Sequence, residues 1–88
     1  MKILCSALYE SQLKGILSQM LKQDVKSAKD FKLYLDTIVM NVPTKAKKYK
    51  KSIFFDDESI KDIEYDGYKI PFYIDEIKSV YLILGIYK

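Results

Sequence analysis

The side chains able to do chemistry in this chain form a restricted set. All fifteen basic residues are lysine, and neither arginine nor histidine occurs. Histidine is the usual acid–base group near neutral pH, and arginine the usual two-point clamp on phosphate. Any catalysis must therefore fall to lysine, tyrosine, aspartate or glutamate. Near the carboxyl end these types meet at Lys69, which follows a Gly67-Tyr68 step, and at the closing pair Tyr87-Lys88. A second concentration places Lys45, Lys47, Lys48, Lys50 and Lys51 around Tyr49. Such a run either tracks phosphates with one stacking aromatic, or meets the acidic groups of a protein partner, or is a solvated connector.

Other reactive groups lead nowhere. Cys5 has no histidine anywhere in the chain to activate it, which excludes a cysteine–histidine nucleophile. It reads as a small core residue. Asp56-Asp57-Glu58 are adjacent, so they cannot converge on one ion, and no glycine-centred loop follows them. They read as a turn or a cap. No metal, cofactor or small-molecule substrate is expected.

The elements that must position these residues follow from periodicity. Lys2 to Ser6 reads as a first strand closed by Ser6 as a helix cap. Leu13, Ile16, Leu17, Met20 and Leu21 make one stripe of a helix over Ala7–Gln23. Gly15 interrupts it at a cost of about 1 kcal/mol relative to alanine, either for close packing or for no reason. Asp24 caps a second helix running to about Asn41, with Ala28, Phe31, Leu35, Ile38 and Val39 as its apolar stripe. The short Gln23-Asp24 connection makes the two an antiparallel hairpin, and Val42-Pro43 ends the second helix.

After the lysine run, Ser52–Phe55 reads as a short extended piece. A three-stranded meander then fills the rest. Ile60, Ile63 and Tyr65 lead into Asp66-Gly67, a type I′ hairpin turn. Tyr68, Ile70, Phe72 and Ile74 share one face of the outgoing strand, with Lys69 and Tyr73 on the other. Pro71 sits inside that strand without an N–H to donate, which implies a bulge or an edge there, or a shorter strand. Asp75–Lys78 is the second turn, and Val80–Leu84 is apolar throughout, as in a strand buried on both faces. The whole is an α+β fold: an N-terminal strand, then a helical hairpin packed on a mostly antiparallel sheet formed with the C-terminal meander.

Eighty-eight residues make one domain, 1–88. No apolar run approaches the roughly 20 residues of a membrane helix, and the apolar start is too short for a signal peptide. With a single cysteine, this places the chain in the cytoplasm, away from membranes. The formal charge of +3 is only a weak pointer toward nucleic acid.

The closing pattern IKDIEYDGYKIPFYID…VYLILGIYK resembles the RelE/ParE superfamily of bacterial type II toxins. Gly67-Tyr68-Lys69 matches the glycine-aromatic-basic step that opens their third strand. SALYESQLKGIL resembles their first helix and AKDFKLYLDTIVMNVP their second. The resemblance implies a growth-inhibiting toxin neutralised by a cognate antitoxin from the same operon. RelE-like members cut messenger RNA on the ribosome; ParE-like members inhibit DNA gyrase without nuclease chemistry. Carried over by position, Lys69 stands where a catalytic arginine is expected, and Lys88 lies near the second, beside Tyr87. Asp62 falls where cleaving members tend to have lysine, and their basic carboxyl-terminal tail is missing. Lysine offsets phosphate charge but cannot make the planar two-point contact, so inhibition by binding is favoured over cleavage. The alternative is a non-toxic module of the same fold that binds protein or RNA.

Overall fold

The computed structural model describes residues 2–88. Ser6 ends the first strand, β1 (Lys2–Cys5), and starts the first helix, α1 (Ala7–Gln23). Its backbone is extended, and its hydroxyl accepts from the Tyr9 N–H at 3.0 Å while donating to the Leu84 carbonyl at 2.8 Å. One side chain thus caps the helix and ties it to the far end of the chain. Asp24 ends α1 by donating its N–H to the Met20 carbonyl, and caps α2 (Val25–Met40) by accepting from the Lys26 N–H at 3.0 Å. A single residue between two helices leaves a hairpin as the only compact arrangement.

Beyond α2 the structure corrects the expected connector. Pro43 ends nothing further: it lies in the first turn of a short helix, α3 (Val42–Lys45), where its missing N–H would be unpaired anyway. A 3-10 turn at Ala46–Lys48 follows. Val42 and Ala46 are buried, so this basic segment is anchored and not a free tether. It leads into β2 (Lys50–Lys51), an edge strand that the sequence reading lacked. Ser52–Phe55, expected as an extended piece, is a loop of bends between β2 and β3.

The meander is β3 (Ile60–Tyr65), β4 (Tyr68–Asp75) and β5 (Val80–Ile83). Asp66 and Gly67 take φ values of 49° and 81°, the positive pair that a type I′ turn requires. The sheet order is β1-β5-β4-β3-β2, with β1 parallel to β5 and every other pair antiparallel. Between Phe72↔Ile83 and Lys69↔Tyr87, β4 advances three residues and its partner four, which is a bulge. Pro71 sits at that slip and contributes only its carbonyl, which accepts from the Leu84 N–H at 2.8 Å. The proline is accommodated at a bulge, one of the alternatives its position left open.

Tyr9 and Leu13 of α1 and Phe31, Leu35 and Val39 of α2 pack on Ile63, Ile70, Phe72, Tyr81 and Ile83. Phe72, Leu35, Ile63, Ile70 and Ile83 are fully buried, each contributing about 1.5–3 kcal/mol of transfer free energy. Ile16, Leu17, Met20 and Ile38 are half-buried at the margin.

Several expectations are overturned. Leu21 is exposed: it lies beside Ala28 and Leu33 of α2 on the outer side of the helical hairpin, not against the sheet. Cys5 is exposed too, since β1 is one of the two edge strands of the sheet. Strand β5 is closed on one face only: Tyr81 and Ile83 are buried, whereas Val80 and Leu82 point to the uncovered face and stay half-buried. A Cβ added at Gly15 would meet nothing within 4 Å, so that glycine serves no packing purpose.

Candidate macromolecule-binding face

The helices cover one face of the sheet, and the other carries the residues of interest. On β3 and β4 the alternation sends Ile63, Ile70 and Phe72 inward and Asp62, Glu64, Lys69, Pro71 and Tyr73 outward. Glu64 and Lys69 are directly opposite in the register, and the Lys69 ammonium donates to the Glu64 carboxylate. That hydrogen bond first, and the Lys69 charge second, hold the Glu64 carboxyl below its ordinary value.

Tyr87 is brought to the same place by backbone. The Lys69 N–H donates to the Tyr87 carbonyl at 2.6 Å, and the Tyr87 N–H returns to the Lys69 carbonyl at 2.8 Å. The chain reaches this position through Gly85. A Cβ there would lie 2.8 Å from Tyr87 Cε2, 2.9 Å from its Oη and 3.0 Å from Gln12 Oε1. Gln12 in turn accepts from the Ile86 N–H at 2.8 Å, fastening the closing segment to α1. The Tyr87 ring stacks on Phe54 from the 52–55 loop, with centroids 4.9 Å apart at 44°.

Lys88 does not join this group. Its ammonium lies 5.0 Å over the ring of Tyr68. Tyr68 packs edge-on against Phe31 of α2, on the helix side of the sheet. The three residues singled out near the carboxyl end are therefore divided: Lys69 and Tyr87 meet, and Lys88 stands across the strand.

The lysine run is divided as well. Lys45, Lys47 and Lys48 project from the helical turns and Lys50 and Lys51 from the edge strand, all exposed. Tyr49 turns inward and meets Phe72 edge-on at 5.6 Å, and burial raises its hydroxyl pKa. It is half-buried: it packs against the core and also lines a cleft with Lys48, Lys50, Lys51 and Lys69. Lys51 bonds Asp56 at 2.9 Å and reaches Glu58 at 3.8 Å, and Asp57 accepts from the Ser59 N–H at 2.8 Å. The acidic run thus orders a loop. Among the described residues no cluster of three carboxylate or thiol side chains is placed to hold a metal.

Asp62 has the least expected setting. Only 7% of it is exposed, its Oδ2 accepts from the Ile53 N–H at 2.9 Å, and its Oδ1 is buried without a partner. Sequence placed this carboxylate on the phosphate-facing surface; the 52–55 loop folds over it.

This architecture is a RelE/ParE-like fold. The chain superposes on a chain from a structure described as the chromosomal ParDE TA system from P. aeruginosa, with a TM-score of 0.78. The match covers 100% of this chain and 95% of that one at 12% identity. No protein-family model matches the sequence, and no curated protein matches it. Among the described residues no helix is long and apolar enough to cross a membrane.

Proposed function

We propose that the chain is the toxin component of a type II toxin–antitoxin system, held inactive by a cognate antitoxin, and that it acts by binding its target. The observation that carries this reading is the likeness, over the whole chain, to a chain of a ParDE system. The two target classes are DNA gyrase and the messenger-loaded ribosome, both reached through the helix-free face of the sheet.

Binding without cleavage is supported by the state of Lys69. Cutting a phosphodiester needs a base for the 2′-hydroxyl and cations on the developing charge. Here the Lys69 ammonium is engaged by Glu64, Lys88 lies on the other side of the strand, and Asp62 adds a carboxylate beneath the surface. Tyr87 pairs with Lys69 through its backbone, and its ring packs against Phe54. The exposed lysines of α3, the 3-10 turn and β2 fit acidic surfaces of a target or of the antitoxin.

Inducing the chain without an antitoxin, in a related host, tests the proposal. Growth should stop while total messenger decay stays at the uninduced rate. Unimpaired growth refutes the toxin reading; rapid messenger loss refutes the non-cleaving one. Supercoiling assays with purified gyrase then separate the two targets.

A further inference from the structure

The sheet ends in two edges of opposite character. One is β2, two residues long and both lysine, a short charged edge that resists further pairing. The other is β1, where Ile3, Leu4 and Cys5 follow one another with no charge, proline or bulge to blunt the edge. The N–H groups of Lys2 and Ser6 turn inward, to the Ser79 carbonyl at 3.0 Å and the Ile83 carbonyl at 2.9 Å. Backbone groups alternate sides along a strand of a parallel ladder, so those of Ile3 and Cys5 turn outward. Among the described residues no strand lies beyond them. Leu4 and Cys5 are exposed as well, Leu4 at 48%. Leu4 stands in one row with Leu82 of β5 and Tyr73 of β4 on the helix-free face.

We propose that β1 pairs antiparallel with the β1 of a second copy of this chain, joining the two sheets into one. A two-fold axis through Leu4 fits the outward groups. It sets Ile3 of each copy opposite Cys5 of the other. Each such pair exchanges both N–H···O bonds, so every outward group finds a partner. Leu4 meets Leu4 of the second copy in the closer, non-hydrogen-bonded position, which carries the row of Leu82 and Tyr73 across the axis. The two Lys2 side chains fall at opposite ends, about 14 Å apart along the strands and beyond the ~8 Å screening length. An interface between copies must be its own complement, and an uncharged run centred on leucine meets that condition. A charged partner strand would find no opposite charge along Ile3–Cys5. The lysine edge fixes the number of copies: β1 on β2 would grow without end, whereas β1 on β1 closes at two.

Sedimentation equilibrium of the whole chain, over a concentration series up to about 1 mM, reads the pairing. The contact is smaller than a standard interface and so is weak, but ~1 mM protein half-forms even a millimolar dimer. The mass should climb from 10.3 kDa toward twice that value. Leu4→Lys places two ammonium groups across the axis and should hold the mass at 10.3 kDa throughout, with circular dichroism reporting that the fold is kept. Disulfide trapping reads the register. Leu4→Cys in a Cys5→Ser background puts thiols on residues about 4.5 Å apart, within bridging distance, and should give a covalent dimer on a non-reducing gel. The two wild-type Cys5 residues lie about 8 Å apart in this register, beyond bridging distance, and should stay unlinked.

A mass that stays at 10.3 kDa up to that concentration overturns the pairing and leaves the edge to a strand of some other protein. A dimer that Leu4→Lys leaves intact, or one trapped through Cys5 and not through position 4, overturns it too. The trapping result stands by itself if Leu4→Lys fails to fold. The pairing goes beyond the toxin reading and does not rest on it, since growth arrest is not among its readouts.

Discussion

Replacing Gly85 by alanine tests how the closing segment is brought to Lys69. The new Cβ would sit 2.8 and 2.9 Å from the Tyr87 ring and 3.0 Å from Gln12 Oε1. The φ angle of Gly85 is outside the positive region, so the penalty is steric and not backbone strain. Overpacking of this kind costs about 1–3 kcal/mol. The reduced freedom of the unfolded chain returns about 0.4–1 kcal/mol, leaving a net loss of roughly 1–2 kcal/mol. For a domain of this size that is a fall in Tm of about 4–16 °C. Thermal melts by circular dichroism measure it. The decisive comparison is the same substitution in a Tyr87→Ala background, where two of the three close contacts are gone. There the Gly85→Ala cost should drop by at least half, leaving the Gln12 contact. An equal cost in both backgrounds refutes the idea that the Tyr87 ring is what Gly85 makes room for.

Ser6→Ala removes both the cap of α1 and the bond to the Leu84 carbonyl. At about 1 kcal/mol each, the loss is about 2 kcal/mol in urea unfolding; a loss under 0.5 kcal/mol contradicts the double role. Burial first, then the neighbouring Cys5 and Asp36 charges, raises the Tyr9 hydroxyl pKa far above its ordinary 10.0. Folding therefore favours the neutral phenol, and stability present below pH 10 is lost as the pH rises beyond it. Tyr9→Phe should flatten that alkaline fall in Tm, and an unchanged slope would locate the titrating group elsewhere. Lys69→Ala should let the Glu64 carboxyl return upward toward its ordinary pKa, as read by carboxyl carbon NMR titration, with little change in Tm because the pair is on the surface. A Glu64 titration that stays depressed would mean that Lys50, the remaining cation near it, holds the proton off instead.

The hairpin turn at Asp66-Gly67, the cap at Ser6 and the joint at Asp24 were legible because each is local chemistry: a few residues satisfy their own backbone. The bulge at Pro71 was legible for the same reason, since a missing N–H must be placed somewhere. The β2 strand was not, because two lysines carry no period; they pair with Lys61 and Asp62 only through the loop that returns the chain. Leu21, Leu82 and Cys5 were assigned more cover than they have. An apolar pattern marks a face but not where its partner ends.

The site divided along the same line. Lys69, Tyr87 and the lysine run were visible as residue types. Their grouping was not, since Tyr87 meets Lys69 across a bulge, Lys88 turns to Tyr68, and Tyr49 packs its edge on Phe72 while lining the lysine cleft. Asp62 was noticed as a misplaced charge, yet its burial depends on a loop whose path no pattern in that loop specifies.

What the sequence by itself determined is the order of elements and the absence of arginine and histidine, because capping, turn geometry and the side-chain inventory are properties of neighbours along the chain. What only the tertiary structure decided is which lysines remain unpaired and that one carboxylate oxygen is sealed without a partner. Ion pairing and desolvation are set by groups distant in sequence, and only the closed sheet with its covering loop brings them within reach.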